Sequence, residues 1–393
     1  MRGLWFFVLV SGCAASEAST PPPRRAVTTG GVASPVWADV TRSPWPSESG
    51  LSDRDALFAG ACGDADGALT RVARAVAVRR ARGDGAPDTD VVVAMLRAAG
   101  EPHVRPRLLF ASGVSPLDPD AMRPKLANLV SPKGRTRCAV AVASTPHGGE
   151  VLVAVAVDAL ADLTDLPLRA RTGEWLTFDA RLHVDARSAK LVVQGPRGAP
   201  RTVPTSLDDH GRIRARFVLD RPGPFTVQLV GDLDVGPRPL LEARVFSDVE
   251  PSDPEAIDPA PGESAGEGRD TEEALYTMVA DLRASEGLRP LRHDPDLEAL
   301  ARTHVTRMRD DRLVAHDVGE GDLQTRFETR ALAARAIGEN VVHATTVARA
   351  HRALYASPSH RANLLRADYT HIGIGLARAD DGSVYACEVF AAR

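Results

Sequence analysis

Residues 250–269 read EPSDPEAIDPAPGESAGEGR. Prolines remove backbone donors, glycines add chain entropy and the acids stay solvated, so no helix or strand is expected to cross this stretch. It therefore divides whatever the chain folds into. With 393 residues and 44% hydrophobic content there is material for real cores on both sides. The formal charge of −4 is mild, and the basic residues, almost all arginine, are dispersed. Such a surface gives no footprint for nucleic acid.

The first residues carry a different signal. Met1-Arg2 is followed by an apolar run from Leu4 to Val10 and then by Val10-Ser11-Gly12-Cys13. The run is far too short to span a bilayer. The pattern resembles a bacterial lipoprotein signal. That resemblance implies that residues 1–12 are a signal peptide cleaved before Cys13, with lipid on the Cys13 sulfur. It also implies a partner, the membrane, and a location on the bacterial cell envelope, at the outer surface or in the periplasm. An ordinary secretory signal is the alternative. Residues 13–50 are rich in Ser, Thr, Pro and Ala, and TPPPRR and SPWPSESG bury too little to order themselves. They read as a tether, with Trp37 and Trp45 as its docking points.

Residues 51–165 read as an α/β domain. Leu69, Val72, Ala73 and Val76 fall at helical spacing, and Val91, Val92, Met95 and Leu96 suggest a second helix stopped by Gly100. CAVAVA from Cys138 and VLVAVAV from Val151 read as two buried strands around HGGE. In an oxidising compartment Cys62 and Cys138 are a plausible disulfide, although Cys387 is an equally available partner on paper. Residues 166–249 change to short β-rich runs separated by GPRG, DDHG, RPGP and VGPRP. The expectation is an all-β sandwich of immunoglobulin-like architecture, without the Cys…Trp…Cys pattern of a true immunoglobulin domain.

After the linker, residues 270–393 read as helices followed by strands. Asp270, with Glu273 three residues on, is an expected helix cap. Asp294-Pro295 starts a second helix, with Leu297, Leu300, Ala301, Val305 and Met308 on its apolar stripe. Further helices are expected after Asp322 and Thr346. The glycines of HIGIG, at His371–Gly375, would let another backbone approach closely. Four pieces of text carry a resemblance: Ala315-His316-Asp317, Gly338-Glu339-Asn340 read as a tight turn, SPSHRANLL at Ser357–Leu365, and HIGIG. In that order they resemble the CAP superfamily of cysteine-rich secretory proteins, antigen 5 and pathogenesis-related proteins, in its bacterial SCP-like form.

The resemblance implies a three-layer α-β-α sandwich and an open cleft that gathers two His and two Glu. Carried over by position, these are His316, Glu339 and His360. The second acid falls near Ser357 and is missing, so Ser357 is expected to border the cleft. Two imidazoles and a carboxylate can hold a divalent metal such as zinc, or move protons near neutral pH, which makes His316, Glu339 and His360 the candidate catalytic residues as well. They can equally form a hydrogen-bonded structural network. No phosphate loop, CxxC pair or Gly-x-Ser-x-Gly elbow appears.

The expected function is non-catalytic binding of an extracellular protein or lipid-like ligand. A metal-dependent, peptidase-like hydrolase and a structural envelope protein are the alternatives. One internal parallel stands out. Asp66, Leu69-x-x-Val72-Ala73 and Cys138-Ala-Val-Ala-Val match Asp294, Leu297-x-x-Leu300-Ala301 and Ile372-Gly-Ile-Gly-Leu. Two readings of residues 51–165 follow: a degenerate CAP-like copy without the His/Glu set, or an unrelated α/β domain.

Overall fold

The computed structural model describes residues 51–393 other than 63, 66, 86, 88, 132–134, 165, 234–235, 252–257 and 267. The lipoprotein signal, Cys13 and the tether with its tryptophans lie outside the described residues. So does the Asp66 half of the Asp66–Asp294 parallel. The described residues fall within one compact unit that contains several separate cores.

The first segment runs α1 (Asp53–Ala59), β1 (Asp64–Ala65), α2 (Gly67–Ala81), α3 (Thr89–Ala98), β2 (Arg107–Gly113), α4 (Pro119–Ala127), β3 (Thr136–Ser144) and β4 (Glu150–Asp158). Its sheet has the order β1-β3-β4-β2, with β1 parallel to β3 and the other pairs antiparallel. The central runs of β3 and β4, Cys138–Ala143 and Val151–Val157, are apolar throughout because helices cover both faces. Leu69, Val76 and Leu96 pack with Val153 and Val155 on one side, and Phe58, Met122 and Leu126 pack with Val140 and Leu152 on the other. Cys62 is bonded to Cys138 with a Cα–Cα distance of 5.4 Å, while Cys387 is a buried free thiol.

The second segment is a sandwich of β5 (Ala161–Thr164), β6 (Arg169–Ala170), β7 (Trp175–Leu182), β8 (Ser188–Gln194), β9 (Arg201–Val203), β10 (Thr205–Leu207), β11 (Arg212–Val218), β12 (Gly223–Leu233) and β13 (Gly236–Ser247). One sheet is ordered β10-β11-β7-β5 and the other β6-β13-β12-β8-β9. Alternate residues point inward: Leu176, Phe178 and Ala180 of β7 meet Phe225, Val227 and Leu229 of β12 in one core. This sheet pair begins at Ala161, so residues 161–164 join the sandwich rather than the α/β segment before it.

The third segment runs α5 (Glu272–Ser285), β14 (Arg292–His293), α6 (Pro295–Asp310), α7 (Leu323–Thr329), β15 (Ala336–Ala344), α8 (Val347–Ala356), α9 (Pro358–Leu364), β16 (His371–Arg378) and β17 (Val384–Ala392). Its sheet is ordered β14-β16-β17-β15. Helices α5 and α8 pack with Ile372, Ile374 and Phe390 on one face, and α6 packs with Cys387, Val389 and Ala391 on the other. Asp294 caps α6 through the amides of Asp296 and Leu297, Asp322 caps α7 and Thr346 caps α8. Asp270 does not cap α5. Thr271 does, and the Asp270 carboxylate accepts the Val347 amide instead, at 2.9 Å.

The 250–269 segment is not open chain throughout. Residues 263–266 form a short 3-10 turn packed on α5 and α8. Arg352 Nε donates to Glu263 at 2.8 Å, and buried His351 meets the Pro261 carbonyl at 2.9 Å. Gly262, at φ +82°, and Gly266 lie against Met278, where a Cβ would collide. Proline and glycine there permit close docking rather than looseness.

The first and third sheets share one plan: the same strand order, the same directions and helices in the same places between strands. The strand registers align residue by residue. Asp64 and Arg137 take the places of Arg292 and His371, and Leu108 opposite Val155 takes that of Glu339 opposite Val389. In both, an acid near the start of the first helix accepts the same strand amide: Asp55 from Val142 N, and Glu272 from Leu376 N.

Candidate functional site

Gly338-Glu339-Asn340 is not a turn but part of the edge strand β15. Strand alternation therefore sends Glu339 to the α6 face and Asn340 to the α8–α9 face. Gly338 is required because a Cβ would strike the Tyr369 hydroxyl, which donates to the Ile337 carbonyl at 2.9 Å.

Glu339 is 6% exposed, and both its oxygens are engaged. Oε1 accepts from Arg326 Nη2 at 2.6 Å and lies 3.7 Å from Cys387 Sγ. Oε2 meets His316 Nδ1 at 2.9 Å, with His304 Nε2 3.8 Å away. Burial alone would raise this carboxyl. The His316 hydrogen bond and the charges of Arg326, His304 and His316 outweigh it and hold Glu339 below the usual carboxylate range. His304 is itself fixed by Glu320 Oε1 at 2.6 Å and the Ala315 carbonyl at 2.9 Å. The His316 side chain is 42% exposed and is the solvent-facing member of the network.

His360 lies on α9, which starts at Pro358 after Ser357, and its backbone carbonyl accepts from Asn340 Nδ2 at 3.2 Å. Burial, then the neighbouring charges of His316 and Arg105, push its imidazole down to about 3, so it is neutral at ordinary pH. The Ser357 hydroxyl meets Ser359 Oγ at 3.4 Å and makes no cap bond to α9. Behind Asn340, Glu388 is fully buried. Asn340 Nδ2 donates to its Oε2 at 2.9 Å, while Oε1 has no partner among the described residues. Burial, opposed by the Asn340 bond, pushes this carboxyl up to about 7.

The expected metal set of His316, His360 and Glu339 is not assembled. Among the described residues no group of three or more His, Cys, Asp and Glu is arranged to hold a metal ion. The physical reason is Arg326: a divalent cation at Glu339 would have to displace a buried guanidinium. The donor set does not fit zinc. What the arrangement does is order a rigid wall beside an exposed imidazole. The sequence motifs point to His316 and Glu339 but not to His304, Arg326, Glu320 or Glu388. His304 carried a usable signal, since it falls on the apolar stripe of α6 with Leu300, Ala301 and Met308.

In the first segment the aligned registers put Val76 at the place of His304, Leu108 at Glu339, Leu109 at Asn340 and Ala154 at Glu388. These four polar positions of the CAP domain are apolar there.

Solved structures similar to this chain include an outer surface protein from Borrelia burgdorferi, 23% identical over 31% of this chain and 91% of that one, TM-score 0.30. A second is an extracellular SCP-domain protein from Bacillus anthracis, 16% identical over 57% and 87%, TM-score 0.29. A third is venom allergen-like protein 4 from Schistosoma mansoni, 13% identical over 30% and 83%, TM-score 0.23. No curated protein matches the chain. Residues 276–390 match the model of the cysteine-rich secretory protein family, and this part of the chain is a CAP domain.

Proposed function

We propose that this chain is an extracellular CAP protein, held at a bacterial envelope by lipid on Cys13, that binds an envelope or secreted partner without turning it over. The observation that carries the reading is the state of Glu339. Its carboxylate is spent on Arg326 and His316, so it neither completes a metal site nor stands free as a general base. The anchoring part of the reading rests on the Val10-Ser11-Gly12-Cys13 text after the apolar run Leu4–Val10. The 51–160 segment is a degenerate copy of the CAP unit, and its apolar replacements at the site positions make it a structural layer.

The test uses the purified full chain with zinc present and absent. Wild type and Glu339→Gln are compared on peptide and ester substrate panels, and wild type and His316→Ala on isolated sacculi and phospholipid vesicles. Binding that weakens in the His316 variant, with no turnover above background, is the expected result. Zinc-dependent hydrolysis that disappears in Glu339→Gln would overturn it.

A further inference from the structure

On the α6–α7 side of the CAP domain, away from His360, lies a cavity of about 160 Å³. Arg307, Arg326 and Arg330 line it together with Thr303, Thr329 and a single acid, Glu320. Arg326 is 6% exposed, and among the described residues its Nε and Nη1 are buried without a hydrogen-bond partner. Nη1 lies 3.7 Å from Glu320 Oε1, too long for a hydrogen bond, and only Nη2 is fully used, on Glu339 and the His316 carbonyl. Glu320 is already shared between Arg307 Nε at 2.9 Å and His304 at 2.6 Å. Among the described residues the Arg330 side chain donates only to the Thr303 hydroxyl, at 3.1 Å. Buried guanidinium donors left unmade cost stability, so such groups normally face a ligand or ordered water.

We propose that this cavity binds a compact oxyanion, phosphate or sulfate, either free or as the terminal ester of a larger molecule. Three guanidinia against two carboxylates, Glu320 in the lining and Glu339 behind Arg326, leave a net positive charge. The planar donor forks of Arg326 and Arg330 give the geometry that phosphate-type oxygens accept. A single water needs only about 10–15 Å³ on the same measure, so the volume admits a tetrahedral anion with residual water but no polymer chain. The site does not depend on what the His316 face binds. It does share Arg326 with it: an anion that draws on this guanidinium competes with Glu339 and loosens the wall behind His316.

Calorimetric titration of the full chain with inorganic phosphate at fixed ionic strength tests the site. Wild type should saturate. Arg330→Ala should bind at least about tenfold more weakly, the loss of one charge-assisted contact, and Arg330→Lys should recover part of it. Arg330 is exposed, so an unchanged thermal midpoint should accompany the loss. In parallel, the Arg326 Nε–H resonance should shift on phosphate addition in wild type. Glycerol phosphate is the second ligand: equal affinity points to an esterified terminus, and binding of phosphate alone points to the free anion. Failure to saturate, or equal affinity in wild type and Arg330→Ala, would overturn the proposal.

Discussion

Glu339 and Glu388 sit one rung apart on paired strands, on opposite faces of one sheet, and take opposite charge states. Both are buried. Glu339 has a guanidinium and imidazoles to compensate it, whereas Glu388 has one amide and an orphaned oxygen. Glu388 therefore holds its proton up to about pH 7 against an ordinary value of 4.5. A folded pKa raised above the unfolded one means that the folded chain carries the extra proton in that interval. Stability is then unimpaired below the ordinary value and falls as pH rises through about 7, by on the order of 3 kcal/mol in full. Glu388→Gln keeps an oxygen for Asn340 and removes the titration. Urea unfolding should find variant and wild type alike at pH 4.5 and the variant more stable by about 1–3 kcal/mol at pH 8. Equal curves at both pH values would mean that Glu388 is ionised in the fold. Glu339 contributes the reverse trend, stability lost as pH falls, but it is common to both proteins and cancels.

At the scale of elements, the contact between α6 and β16 depends on glycine. A Cβ on Gly375 would lie 2.5 Å from Arg302 N and 2.6 Å from Ala301 C, which are backbone atoms that cannot turn aside. Gly375→Ala should therefore push the helix off the sheet and cost about 3 kcal/mol or more, read as a lower urea midpoint. A loss below 0.5 kcal/mol would show that the helix can shift freely. This close approach was legible in HIGIG, and the apolar runs at Cys138 and Val151 were legible as strands because burial on both faces removes alternation. Other elements were not legible. The strand Arg107–Gly113 is half-buried and begins with an arginine that pairs with Asp158, so neither period shows. Pro124 lies inside α4 and argues against helix in any local reading. Gly338 looked like a turn because the reason for it, the Tyr369 hydroxyl, is 31 residues away in sequence. Of the site, the motif text found His316 and Glu339. Arg326, which decides against metal, sits on a seven-residue helix with no motif of its own.

The three segments are tied together by polar contacts rather than by a shared apolar core. Between the first segment and the sandwich, Glu242 takes Arg97 at 3.2 Å, and its amide donates to the Pro102 carbonyl. Between the sandwich and the CAP domain the contact centres on α9. Gln194 Nε2 donates to the Ala356 carbonyl at 3.1 Å, and Gly198 N donates to Glu286 at 3.1 Å. Arg361, next to His360 in the chain, is 2% exposed. Its guanidinium lies 4.0 Å over the Tyr355 ring, and Nη1 reaches the Gly195 carbonyl at 3.3 Å. A desolvated cation–π contact is worth about 2 kcal/mol, and the charged hydrogen bond adds to it. The Tyr355 contact lies within the CAP domain and holds the guanidinium in place, and the Gly195 bond crosses to the sandwich, so Arg361→Ala removes a charged tie from the junction together with the packing that positions it. Polar interfaces of this kind couple unfolding only while they hold. Differential scanning calorimetry of the variant should therefore resolve two transitions, the sandwich and CAP cores melting apart, where wild type melts them together. The cleft should feel the same change, because α9 carries His360 and loses its support from β8 and β12. A single transition at the wild-type midpoint would mean that the backbone contacts at Ala356 and Gly198 suffice to hold the two parts.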